Sequence, residues 1–278
     1  MGEANGRTLV HGQMNVILSK AYNGFIPGDC LPVSIAPTLV SKAKPTTPRK
    51  RPRSARQLGG VRPDPRNVEE APSKSVLCGA IAGQRYLSPQ PFAEIDVITL
   101  PQIMGPTECN LMVQIAHAKG FHPQRRPGVR LAWVDFTDPL FAQRFWTLSG
   151  LSWYFRTLEV DGWVPIGLSE VIRVQRYREG DAFGKHIDQH IVREDGLKSF
   201  HSIRIFLNGS GVDFQGGTSV FYPPFGHPPV VFTPATGTSL LYPQGHGCTI
   251  QEEAPVTQGE KYVLRLDVLF EKIPTPAF

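Results

Sequence analysis

The sequence is short of several things that would otherwise direct its reading. Its 278 residues include four cysteines, Cys30, Cys78, Cys109 and Cys248, scattered and without a C-x-x-C pair. That spacing excludes a zinc ribbon or a dense disulfide framework and suits a reducing compartment. No apolar run approaches the roughly 20 residues a membrane span needs, so no membrane partner is expected. The opening stretch MGEANGRTLVHGQMNVILSKAYNGF lacks both a basic leader and a long apolar centre. No secretory signal is therefore expected, and the location read from the sequence is cytoplasmic, with the nucleus as the alternative.

Evenly spread charge is also missing. Between Ser41 and Arg66 stand nine basic residues (Lys42, Lys44, Arg49, Lys50, Arg51, Arg53, Arg56, Arg62, Arg66) against Asp64, a local charge of +8. The whole chain carries +5, which leaves −3 for everything else. This stretch is rich in Pro and Thr and nearly free of large apolar groups, so it cannot bury enough surface to offset chain entropy. The expectation is a mobile, basic, Pro-rich linker or loop over 41–75. PRKRPRSAR within it is either a solvated loop or a nuclear-localisation or nucleic-acid patch. Elsewhere no basic face argues for nucleic acid. Residues 1–40 are moderately apolar, and their packing is left open.

What the chain does have is material for a core, at 41% hydrophobic and 10% aromatic. Residues 90–278 read as one domain. AEIDVITL suggests a strand stopped by Pro101. A helix is expected from Thr107 as N-cap to Gly120, with Leu111, Met112, Ile115 and Ala116 as its apolar stripe. A second is expected from Asp138 to about Arg156. After Trp163, short β-rich runs (VIRVQRYREG, SIRIFLN, FQGGTSVFY, PVVFTP, TSLLYP, KYVLRLDVLF) follow one another between Gly, Pro and Asn turns. The fold class is thus mainly β with N-terminal helices, a sandwich or barrel.

Within that β half, His186 and Asp188 stand two apart on an extended segment and project to one face. They could be a barrel histidine and a turn aspartate, or two thirds of a 2-His-1-carboxylate triad for non-haem iron. The surrounding residues favour the second reading. W163VPIGLSEVIRVQRY177, Gly180, Phe183, H186-x-D188, S202IRIFLN208, F214QGGT218, P234ATG237 and G259EKYVLRLDVLF270 keep order and spacing over about 95–271. This pattern resembles the prolyl 4-hydroxylase-like branch of the Fe(II)/2-oxoglutarate dioxygenases.

The resemblance implies a double-stranded β-helix, or jelly-roll barrel. It also implies a facial metal site using Fe(II), 2-oxoglutarate and O2, with ascorbate as a further candidate, to oxidise a C–H bond. His186 and Asp188 match the first two ligands. The distal histidine of the family motif is replaced by Gln251. Three explanations stay open: Gln251 is an engineered knockout of the ligand, or it is itself the third donor in a natural variant of the triad, or His246 takes the place; Glu252 and Glu253 match positions outside it. Strand alternation puts Lys261, Val263, Arg265 and Asp267 on one face. Lys261 matches the family lysine for the cosubstrate's far carboxylate, and Arg265 competes with it because a guanidinium fork fits a carboxylate better. Tyr177 resembles a tyrosine that bonds 2-oxoglutarate, and Thr218 and Arg204 are further pocket candidates. The expected substrate is a small molecule or amino-acid derivative. The alternatives are a nuclear protein or nucleic-acid hydroxylase, or a non-catalytic jelly-roll module with a decayed metal site. The oligomeric state is not legible.

Overall fold

The computed structural model describes residues 75–81 and 83–274. The expectations for 1–40, and for all of 41–75 except Ser75, lie outside the described residues. The described chain begins with β1 (Gln90–Pro91) and β2 (Ile98–Leu100), the helix Pro106–Lys119, and a hairpin of β3 (His122–Arg126) and β4 (Val129–Thr137). Helices Pro139–Leu148 and Leu151–Phe155 lead to β5 (Trp163–Leu168), β6 (Val171–Tyr177), β7 (Ala182–His186) and β8 (Lys198–Phe206). Then come β9 (Phe214–Gly216), β10 (Ser219–Tyr222), β11 (Val230–Phe232), β12 (Ser239–Pro243), β13 (Ile250–Glu253), β14 (Val256–Gly259) and β15 (Lys261–Lys272).

The body is one continuous antiparallel sheet folded on itself, whose two halves run β12-β8-β15-β6 and β7-β13-β10-β11; β2 and β1 extend the first, β5 pairs with β15, and β9 and β14 form a separate pair. β4 pairs with β6 of the first and β7 of the second, joining them along one side. The chain passes repeatedly between these two halves of the sheet, so each contains strands from both halves of the barrel sequence. The architecture is the double-stranded β-helix that the resemblance implied, and it agrees with the sandwich or barrel read from the strand runs.

The helices follow local chemistry closely. The first begins at Pro106 with Gly105 as cap rather than the expected Thr107, which lies in the first turn; Gly105 N donates to the Glu108 carboxylate at 2.6 Å. The stretch expected as one helix from Asp138 is two. Asp138 Oδ1 accepts from Phe141 N at 2.9 Å to start it. It stops at Ser149, whose hydroxyl donates to Phe145 O at 2.5 Å, and Gly150 takes φ +84° before the helix restarts at Leu151. The β3–β4 hairpin was not anticipated. Its signals are the Pro127–Gly128 turn, with Gly128 at φ +75°, and the alternating burial of VRLAWVDFT.

Alternation on β15 divides the interior. Leu264, Leu266 and Val268 pack outward into a cluster with Phe141, Phe145 and Phe155 of the helices. Val263 points into the barrel with Phe206, Phe214 and Phe221. Lys261, Arg265 and Asp267 share its face, and polar groups so placed are costly unless each finds a partner.

Candidate functional site

His186 ends β7, and Asp188 follows in the connection to β8. The imidazole Nδ1 bonds to the Gly184 carbonyl at 2.8 Å, which makes Nδ1 the protonated nitrogen and leaves a lone pair on Nε2. Phe183 stacks on the ring with centroids 3.8 Å apart and fixes its plane. Burial, and then the Arg204 charge, lower the His186 pKa and favour the neutral ring. Nε2 lies 3.6 Å from Asp188 Oδ1.

Asp188 is 4% exposed and fully engaged on one side. Its Oδ2 accepts from Ser202 Oγ at 3.0 Å and Tyr242 OH at 2.9 Å. Its Oδ1 faces Arg265 Nη1 at 3.4 Å. Burial alone would raise the pKa, but Arg265, Arg204 and His186 outweigh it and hold it at about 2. Behind it runs a network that the sequence did not reveal. Gln244 Nε2 donates to Ser202 Oγ at 2.9 Å and to Asp267 Oδ1 at 2.7 Å. These residues lie on β8, β15 and just beyond β12, and only the barrel topology brings them together.

Gln251 on β13 is the direct cross-strand partner of His186 on β7. It is wholly buried. Its Nε2 contacts Cys248 Sγ at 3.7 Å, and its Oε1 has no partner. His186 Nε2 is likewise buried and unpartnered. An imidazole nitrogen, an amide oxygen on its cross-strand partner and the nearby Asp188 carboxylate are the groups that could hold a divalent cation here. His246 is not in this group. It is exposed on the Gly245–Gly247 turn. That turn supports Asp188 instead, because Gly245 N donates to the Asp188 carbonyl at 2.7 Å.

Deeper in the barrel, Lys261 and Tyr177 are register partners on β15 and β6. Lys261 Nζ bonds the Glu253 carboxylate and the Gly217 carbonyl, the latter at 2.6 Å. Glu253 also binds Arg204 Nη1, and accepts from Ser219 Oγ at 2.9 Å. Burial opposes the Glu253 charge, but Lys261 and Arg204 together keep its pKa lowered. Burial also raises the Tyr177 pKa, with the Glu253 charge adding to it. Thr218 is half-buried beside Gly217 and accepts Ala254 N through its carbonyl at 2.9 Å. Arg265 is the cation nearer His186 and Asp188. A cavity of about 550 Å³ reaches it, together with His186, Asp188, Phe183 and Arg126.

The chain is similar to 2OG-Fe(II) oxygenases of known structure. The collagen prolyl hydroxylase of Paramecium bursaria Chlorella virus-1, as its 2OG complex, is 17% identical with TM-score 0.48, over 63% of this chain and 97% of that one. A Pseudomonas putida prolyl-4-hydroxylase is 14% identical with TM-score 0.47, over 66% of this chain and 95% of that one. HygX of Streptomyces hygroscopicus, with nickel and 2-oxoglutarate bound, is 11% identical with TM-score 0.44, over 63% of this chain and 82% of that one. No family model and no curated protein matches the sequence. Among the described residues, no helix is long and apolar enough to cross a membrane.

Proposed function

We propose that this chain is a non-haem iron oxygenase of the 2-oxo-acid-dependent kind, oxidising a C–H bond of a small acidic molecule or amino-acid derivative. One observation carries the reading: His186 Nε2 and Gln251 Oε1, on facing residues of an antiparallel pair, are buried without partners beside Asp188. An unsatisfied buried polar group costs about 1–3 kcal/mol, a penalty that metal binding removes.

His186, Asp188 and Gln251 would hold the iron with one neutral nitrogen, one carboxylate and one amide oxygen. Iron supplies the activation of O2 when bound. The chain orients and shields. Phe183 fixes the imidazole plane. Ser202 and Tyr242 hold Asp188 Oδ2, leaving Oδ1 turned toward His186 and Arg265. Arg126, Lys185 and Arg265 all line the cavity, a basic lining that favours an anionic molecule. The residues fit the metal. They do not fit the far carboxylate of 2-oxoglutarate at Lys261, which Glu253 already holds.

The test is Mn(II) binding followed by electron paramagnetic resonance. One site is expected in the native chain, and affinity should fall about 100-fold in His186→Ala. Equal binding in both overturns the reading. A second reading, a non-catalytic binding module, is favoured by the amide of Gln251 standing where imidazole is the better iron donor. It predicts no oxygen uptake with Fe(II) and any 2-oxo acid, even in Gln251→His. A tether to nucleic acid through 41–66 predicts salt-dependent binding that is lost when that stretch is deleted.

A further inference from the structure

Glu253 lies two residues beyond Gln251 on β13, so both side chains enter the barrel from the same strand face. Its carboxylate sits on Lys261 Nζ, Arg204 Nη1 and the Ser219 hydroxyl. Two cations and a hydroxyl are what a buried carboxylate needs from a protein. Here the protein supplies the carboxylate as well. The side chains of Lys261 and Glu253 are 1% and 2% exposed, and neither lines the cavity that reaches Arg265.

We propose that Glu253 is a built-in occupant of the far carboxylate anchor, and that the site therefore takes a shorter 2-oxo monocarboxylate, held at the metal end by Arg265, in preference to 2-oxoglutarate. This rests on the metal reading above. 2-Oxoglutarate exceeds pyruvate by one methylene and one carboxylate, and Glu253 presents an equivalent terminal carboxylate from the barrel wall. Admitting 2-oxoglutarate to Lys261 would push Glu253 off two cations and strand a buried charge, or leave like charges side by side. Arg265 is differently placed. Its contacts with Asp188 and Asp267, both at 3.4 Å, are longer than a good charge-assisted hydrogen bond, and it lines the cavity beside His186. A carboxylate entering there meets a guanidinium with donors to spare.

The experiment is calorimetric titration of the full Mn(II)-loaded chain with pyruvate and with 2-oxoglutarate, Mn(II) occupancy being checked first by paramagnetic resonance. The native chain should bind pyruvate about tenfold tighter than 2-oxoglutarate, and Glu253→Ala should reverse the order by restoring Lys261 to an incoming carboxylate. Lys261→Met leaves Glu253 bonded to Arg204 and Ser219, so it keeps the test decisive if Glu253→Ala does not fold. In Lys261→Met pyruvate binding should hold within about twofold, whereas Arg265→Gln should weaken it about tenfold. Native binding that prefers 2-oxoglutarate and disappears in Lys261→Met overturns the proposal. So does a chain that holds Mn(II) and binds neither acid. A chain that takes up no Mn(II) overturns the metal reading itself.

Discussion

The Tyr242 hydroxyl donates to Asp188 Oδ2 at 2.9 Å, reaching across the barrel from β12 to the segment that follows β7. Together with Ser202 it selects which carboxylate oxygen is left for the site. Tyr242→Phe should keep the fold and lose this bond. Mn(II) affinity should then drop by roughly 10-fold or more, as for other groups that orient a metal ligand. Unchanged affinity in a paramagnetic resonance titration would show that Ser202 alone suffices.

His201 gives the pH prediction. It is buried between Phe155 and Phe270 and does not line the cavity. Burial, with His190 adding to it, pushes its pKa from 6.5 down to about 4. Folding thus favours the neutral ring, and between those two values the unfolded chain binds more protons than the folded one. The stabilisation is complete above 6.5 and is lost as pH falls toward 4, about 3 kcal/mol in all at 1.36 kcal/mol per pH unit. Melting temperatures of His201→Phe should decline less than native over that interval, and parallel declines would contradict this.

Gly245 adopts φ +65°, and an added Cβ would lie 2.2 Å from His190 Nε2. Gly245→Ala should therefore cost about 1–3 kcal/mol in a denaturant melt and loosen the loop carrying Asp188, weakening Mn(II) binding. His246→Ala, one residue on, should do neither. If His246→Ala were to abolish metal binding, the third donor would be His246.

Asp138 is a control for the fold alone. Its carboxylate caps Phe141 N at 2.9 Å and also accepts from Ser75 Oγ at 2.7 Å and Leu77 N at 3.1 Å. Asp138→Ala should destabilise by roughly 2 kcal/mol or more, beyond the ~1 kcal/mol of a lone cap. Its Mn(II) affinity should match the native chain.

The fold was legible where local chemistry decides it. Alternation placed Lys261, Arg265 and Asp267 on one face of β15, and the H-x-D step with its flanking runs marked the barrel. The break at Ser149–Gly150 went unread because the aromatic stripe continues across it. The β3–β4 hairpin was passed over because its role, joining the two halves of the sheet, depends on strands far away in sequence. Site residues divide in the same way. Those on a shared strand face could be grouped from spacing. The partners that decide their roles, Glu253 for Lys261 and Gln244 for Asp267, are separated from them in sequence or turned toward them only by the barrel.

β4 hydrogen-bonds to both halves of the sheet, and at the tip of its hairpin Gly184 N donates to Gly128 O at 2.6 Å. Arg126, Gly128 and Val129 at that tip are also a wall of the cavity. The hairpin that joins the two halves thus also borders the cavity. Displacing its tip would break the short β4–β7 ladder at Ala182 and Phe183, three residues before His186 on the same strand, so a wall of the cavity and the footing of that imidazole depend on the same few backbone bonds.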